Sequence, residues 1–191
     1  MTASVLAAPS FAGLTLDRPR LMAVINATPD SFSDGGEAFA VDDAVRRGRA
    51  FLAEGADILD IGGESTRPGA EPVPEAEEIR RVVPVIETLA AEGALISIDS
   101  RRAEVMRAAV NAGARIINDV SALSGAGALD AAADLGVPVI LMHMQGEPGT
   151  MQDNPTYSDV VAEVRDSLLA RARACREAGI AAKDIALDPG I

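Results

Sequence analysis

The sequence predicts an α/β protein, a (β/α)8 TIM barrel truncated here after about six βα strands. Three observations predict it. Short apolar runs alternate with segments of helical periodicity, which implies parallel strands joined by right-handed crossovers. Nearly every apolar run leads into an amide or a carboxylate, and a barrel places its active site at the C-terminal ends of its strands. The composition is 48% hydrophobic yet only 3% aromatic, with no Trp. Branched aliphatics must therefore fill the core, as they do in such barrels.

The elements follow in order. Residues 1–20 read as a preface, a short hairpin closing the barrel floor. Leu21–Ile25 is a strand that runs into Asn26. Asn26–Gly36 then exceeds the roughly 2–6 residues usual for a βα loop. Its glycines, aspartates and exposed Phe32 suggest a lid, or else a solvated turn with its corner at Asp34-Gly35. A helix is expected over Asp42–Glu54, stopped by Gly55. Ile58 and Leu59 run into Asp60, Ile61 and then Gly62-Gly63-Glu64-Ser65-Thr66-Arg67-Pro68. The paired glycines permit close backbone approach, and Arg67 offers a planar fork suited to phosphate.

Pro74–Ala91 has Pro at its start and Gly93 past its end, a helix signature; its interior Pro84 is expected to kink it. Leu95–Ile98 runs into Asp99, and Ser100 is the expected N-cap of a helix over Arg101–Asn111 that stops at Gly113. Ile116-Ile117 runs into Asn118-Asp119, and a short helix follows over Leu129–Leu135. Val139–Met142 runs into His143. Ser158–Ala178 carries Val161, Val164, Leu168, Ala172 and Cys175 at helical spacing. Ile185–Leu187 runs into Asp188.

No linker divides the chain, so residues 1–191 are expected to form one domain. A doubly wound sheet is the rival architecture, but it would gather polar groups at one switch point, and here all the strand ends carry them. A barrel needs eight βα units and about 250 residues. The sequence is therefore expected to be the N-terminal part of a longer protein, incomplete at its C-terminus by two units of roughly 30 residues each.

A net charge of −12 argues against nucleic acid or an anionic membrane as partner. The single cysteine, Cys175, excludes an internal disulfide and suits a reducing cytoplasm. In its apolar helical setting it reads as a small buried hydrophobe. Met1–Gly13 lacks a basic n-region, and no run approaches the roughly 20 apolar residues of a membrane helix. His143 is the only histidine, so the sequence holds no multi-His metal site, and a structural rim role is expected for it.

Taken together, Asn26–Gly36, Asp60–Pro68, Ile98-Asp99-Ser100, Ile117-Asn118-Asp119-Val120, Leu141-Met142-His143-Met144-Gln145-Gly146 and Leu187-Asp188-Pro189-Gly190 resemble the dihydropteroate synthase family of pterin-binding enzymes. The resemblance covers nearly the whole chain in the family's order. It implies a sulfonamide-target transferase of folate biosynthesis. Such an enzyme joins a dihydropterin-methyl diphosphate to p-aminobenzoate and releases pyrophosphate. It further implies a catalytic set of Asn26, Arg67 and Asp99. Thr66, Asp99, Asn118, Met142 and Asp188 would contact the pterin or its diphosphate. Phe32, Thr66 and Pro68 would shape the p-aminobenzoate pocket. Asn26 would ligate Mg²⁺, and the full-length parent would be a cytoplasmic homodimer.

The chemistry suits these residue types. The 2-amino and N3–H edge of a pterin presents parallel donors that a carboxylate such as Asp188 accepts as a fork. Asn118 carries both a donor and an acceptor for the mixed edge beside it. The leaving diphosphate needs charge stabilisation more than it needs a protein nucleophile. Read alone, Asp99-Ser100 is equally a helix-capping pair and Asn118-Asp119 an Asx turn. Two other functions compete. A pterin-dependent methyltransferase would keep the Asp and Asn contacts but has no use for the diphosphate apparatus. A non-catalytic pterin-binding paralogue would show a decayed lid.

Overall fold

The computed structural model describes residues 8–27, 36–64, 73–146, 151 and 154–190. Six strands form one parallel sheet: β3 (Met22–Asn26), β4 (Ile58–Gly62), β5 (Ile96–Asp99), β6 (Ile116–Asp119), β7 (Val139–Met142) and β8 (Ile185–Asp188). They lie side by side strictly in chain order. That order never reverses, so the doubly wound alternative with its switch point is excluded. The sheet is the open arc of a barrel wall. Five helices connect the strands: α1 (Gly36–Ala53), α2 (Glu75–Ala91), α3 (Ala103–Ala112), α4 (Ala128–Leu135) and α5 (Val160–Glu177).

Side-chain alternation divides each strand between two faces. Ile25, Leu59, Ile61, Ile96, Ile98, Ile117, Val139 and Leu141 point to the helices and are buried with Val82, Val85, Ile86, Leu89, Val105 and Met106. Burying each such side chain stabilises the fold by about 1.5–3 kcal/mol. The other face carries Met22, Val24 and Asn26, then Asp60 and Gly62, Ser97 and Asp99, Ile116 and Asn118, Ile140 and Met142, and Asp188. This is the barrel's inner face. On β3 its apolar members are open, with Met22 38% and Val24 49% exposed.

Close helix–sheet packing depends on small residues. A Cβ on Gly48 of α1 would stand 2.8 Å from Leu89 Cδ1, and one on Gly63 would stand 2.9 Å from Glu78 Cγ and Val82 Cγ1. These two positions let α1 and α2 settle against the strands.

The preface is a hairpin, as expected. β1 (Ser10–Phe11) and β2 (Leu14–Thr15) pair antiparallel around Ala12 and Gly13, both at positive φ. It is latched at the N-terminal ends of the strands. Asp57 accepts from Arg18 Nη2 at 2.6 Å, from Arg20 Nη1 at 3.1 Å and from the Leu21 amide at 2.9 Å. The Leu21 amide and Arg18 hold its carboxyl down to about 2.

Two boundaries differ from the sequence reading. The first helix begins at Gly36 rather than Asp42, inside the segment read as a loop. Ser100 is not the cap of α3. Its Oγ accepts from the Arg102 amide at 3.2 Å, one turn of chain before the helix, and Arg102 occupies the cap position. α2 runs unbroken through Pro84, where the Thr88 hydroxyl donates to the Pro84 carbonyl at 2.8 Å. α5 starts with a reciprocal cap: Asp159 Oδ1 accepts from the Ala162 amide, and Glu163 Oε1 accepts from the Ser158 and Asp159 amides.

Candidate active site

Register assembles the inner face row by row. Asn26 pairs with Gly62, Gly62 with Asp99, and Asp99 with Asn118. Paired residues of parallel strands share a face and a level. Asn26, Asp99 and Asn118 therefore form one polar row across four strands, with Gly62 leaving a gap in it. Ile140 and Ala186 continue this row on β7 and β8. Met142 and Asp188 pair with each other one level higher. The structure thus brings together Asn26, Asp99, Asn118, Met142 and Asp188. Phe32, Thr66, Arg67 and Pro68 lie outside the described residues.

Below the row sits Asp60. The sequence reading placed it at a strand end, but it lies mid-strand, 2% exposed. Its Oδ2 accepts from Asn118 Nδ2 at 3.0 Å. Its Oδ1 and the hydroxyl of the neighbouring Ser97 are buried without a hydrogen-bond partner. Burial pushes the Asp60 carboxyl upward, while the nearby Ser97 hydroxyl and the Asn118 amide favour the charged form. Asp99 is raised further, well above the ordinary carboxylate range. Burial is the main cause, followed by repulsion from Asp60, Asp119, Glu78 and Glu64. Burial and like-charge repulsion both favour the protonated form of Asp99.

The supports of the row lie behind it. Asp119, fully buried on the helix side, accepts from the Ser121 amide and hydroxyl at 2.7 Å and from the Leu123 amide at 2.8 Å. The Asx-turn reading therefore holds for Asp119, while Asn118 faces inward. Arg171 of α5 donates to the Ala122 and Leu123 carbonyls, both at 2.8 Å, and fixes two residues held at positive φ. Glu78, 1% exposed in its side chain, is met by Arg102 at 2.6 Å, and Arg102 also reaches Glu64 at 3.1 Å. Glu64 in turn accepts from the Val73 amide at 3.2 Å.

At β8, Asp188 Oδ1 accepts from the Gly190 amide at 2.8 Å, and the Asp188 carbonyl accepts from the His143 amide at 2.9 Å. Gly190 has φ +73, and a Cβ there would stand 2.2 Å from the His143 carbonyl oxygen. No other residue fits. The His143 ring packs 5.9 Å from Tyr157, in keeping with a structural role. Cys175 is fully buried, as its helical setting suggested.

Sequence reasoning gave no role to Asp60, Ser97, Glu78 or Arg102. The available signal was one acid inside an otherwise apolar run, Ile58-Leu59-Asp60-Ile61. Among the described residues no group of three or more His, Cys, Asp or Glu could hold a metal. Asn26 brings one amide oxygen to its end of the row. That fits a hard cation which takes most of its ligands from water and phosphate, as Mg²⁺ does.

An arrangement of amides and carboxyl groups beside an apolar Met suits a flat, nitrogen-rich ring. The comparisons agree. The profile of the family described as pterin binding enzyme matches residues 22–191. The dihydropteroate synthase of Escherichia coli (strain K12) is 49% identical over 178 residues, 93% of this chain and 63% of that protein. The dihydropteroate synthase of Neisseria meningitidis serogroup B is 51% identical over 180 residues, 92% of this chain and 62% of that protein. Among solved structures, Xanthomonas albilineans dihydropteroate synthase with 4-aminobenzoic acid superposes with TM-score 0.86 at 58% identity, covering 94% of this chain and 64% of that one. The Burkholderia cenocepacia dihydropteroate synthase complexed with 7,8-dihydropteroate gives TM-score 0.82 at 52% identity, covering 93% and 60%. The chain thus spans 63% and 62% of the length of these two curated relatives.

Proposed function

Because the chain belongs to the pterin binding enzyme family, we propose that it forms the pterin-binding part of a dihydropteroate synthase. Such an enzyme condenses (7,8-dihydropterin-6-yl)methyl diphosphate with p-aminobenzoate and releases pyrophosphate. The observation that carries this reading is the strand-end set Asn26, Asp99, Asn118, Met142 and Asp188, four of them polar, all on one face of one sheet. Two solved relatives, the 4-aminobenzoic acid and 7,8-dihydropteroate complexes, support the choice of substrates.

In this reading Asp188 accepts from the ring's amino and N3–H donors, Asn118 and Asp99 meet the remaining ring edge, and Met142 packs on the ring face. Asn26 would hold Mg²⁺ through its carboxamide oxygen, and the ion would supply positive charge against the leaving diphosphate. Thr66 and Arg67, by the family resemblance, would bind anion, and Phe32, Thr66 and Pro68 would shape the p-aminobenzoate pocket. The residues' task is to orient the two substrates and to exclude competing geometries, which is where most of the rate gain arises when no protein nucleophile is used. The negative global charge is then offset locally by these cations. The protein works in the cytoplasm as a homodimer. Among the described residues no helix is long and apolar enough to cross a membrane.

A pterin-dependent methyltransferase is the alternative, and it would need no diphosphate. The test is an assay of the full-length protein with dihydropterin-methyl diphosphate and p-aminobenzoate. Stoichiometric dihydropteroate and pyrophosphate are expected. Pterin binding without product would favour the methyltransferase or a non-catalytic binder.

A further inference from the structure

Asp60 lies on the inner face of β4, two residues before Gly62, and is 2% exposed. A valine would suit that interior better on packing grounds alone, since an acid buried with one oxygen unpartnered destabilises the fold. Gly62 has no side chain, so nothing on β4 itself separates Asp60 from the polar row above. Asp60 reaches that row through Oδ2, which accepts from Asn118 Nδ2 at 3.0 Å. An ionised carboxylate can only accept, and a protonated one keeps an accepting oxygen. In the structure the amide end of Asn118 is turned toward Asp60, and its carbonyl Oδ1 occupies the other corner of the carboxamide.

We propose that Asp60 is a positioning residue and a determinant of ring specificity. By holding Asn118 Nδ2 it presents Asn118 Oδ1 to the ligand, so this corner of the pocket takes a ring N–H or amino donor and rejects a ring acceptor. The proposal rests on the pterin reading above. Asp60 touches no substrate; it acts through Asn118. Ser97 stands in register beside it on β5.

The experiment uses the full-length protein with Asp60→Leu, which removes the acceptor, and Asp60→Asn, which keeps one. Three quantities are read: the Asn118 side-chain NH2 signals by nitrogen–proton NMR, KM for the dihydropterin diphosphate, and KM for p-aminobenzoate. Asp60→Leu is expected to shift the Asn118 signals, raise the pterin KM at least tenfold and leave the p-aminobenzoate KM within twofold. Asp60→Asn should recover most of the pterin KM. A folded Asp60→Leu protein with pterin KM within twofold of the parent overturns the proposal, as does an equal loss for both substrates. If Asp60→Leu fails to fold, Asp60→Ser, too short to reach Asn118 Nδ2, carries the same test. A parent protein that makes no dihydropteroate contradicts the functional reading instead. The Asn118 signals then decide the contact alone, and identical spectra for parent and Asp60→Ser overturn it.

Discussion

Gly62 and Asp99 face each other in register across β4 and β5, and a methyl on Gly62 would stand 3.4 Å from Asp99 Oδ2. Burial first, and repulsion from Asp60 next, make Asp99 hold its proton more tightly than a solvated aspartate.

Asp99→Asn is therefore expected to raise stability while lowering synthase activity. The folded-state value of Asp99 lies above its unfolded value of ~3.9, so the folded chain binds more protons than the unfolded chain in between. The contribution of this group is best below that unfolded value and is lost as pH rises toward the folded one. An amide removes the penalty. Thermal melts at pH 5 and pH 8 should show a gain that is larger at pH 8. A gain of ~1 kcal/mol would lift Tm by about 2–4 °C. A variant less stable than the parent at both values would show that Asp99 is not penalised by burial.

The Glu78–Arg102 pair supplies a stability prediction. Arg102 is the partner of a carboxylate buried to 1% side-chain exposure. Arg102→Met should destabilise by about 3–5 kcal/mol, because it strands that charge. Adding Glu78→Gln should recover part of the loss. Urea melts of the parent, single and double variants measure this, and additivity of the two changes would argue against a coupled pair.

Much of the fold was legible. Strands buried on both faces read as short apolar runs such as Ile116-Ile117, and turns at Gly113 and Gly136 stop the helices that precede them. The start of α1 was hidden because Gly36 is a poor helix former and closes what looks like a loop. Asn26, Asp99, Asn118, Met142 and Asp188 were legible as residues at or next to apolar strand runs. Asp60 was not, since a strand without polar alternation does not reveal which face its acid takes. The Glu64–Arg102–Glu78 network joins residues 38 and 24 positions apart in sequence, a pairing that no local pattern encodes.

Asn26→Ala should impair turnover much more than it weakens binding of a dihydropterin that lacks the diphosphate, because Asn26 serves the metal and the leaving group. Steady-state rates beside calorimetric affinities separate the two effects. Equal losses would assign Asn26 to the ring instead.

The 191-residue chain expressed alone is expected to make no dihydropteroate and to melt without a sharp transition. Met22 and Val24 on the inner face of β3 are 38% and 49% exposed, and Leu187 on β8 is 42% exposed. At ~25 cal/mol per Å², several hundred Å² of uncovered apolar surface costs on the order of 10 kcal/mol, comparable to the stability of a whole domain. Circular dichroism on heating, with a synthase assay on the same sample, tests this. A sharp transition with product formation would show that six strands suffice.

The most direct test of the strand-end pterin site is calorimetric titration of the full-length protein and its Asp188→Ala variant with a dihydropterin lacking the diphosphate. The parent should bind, and the variant should lose roughly 2–5 kcal/mol, because the ring's paired donors are left without their acceptor. Unchanged affinity in the variant would mean that the ring does not sit against Asp188, and that the polar row on the inner face serves some other ligand.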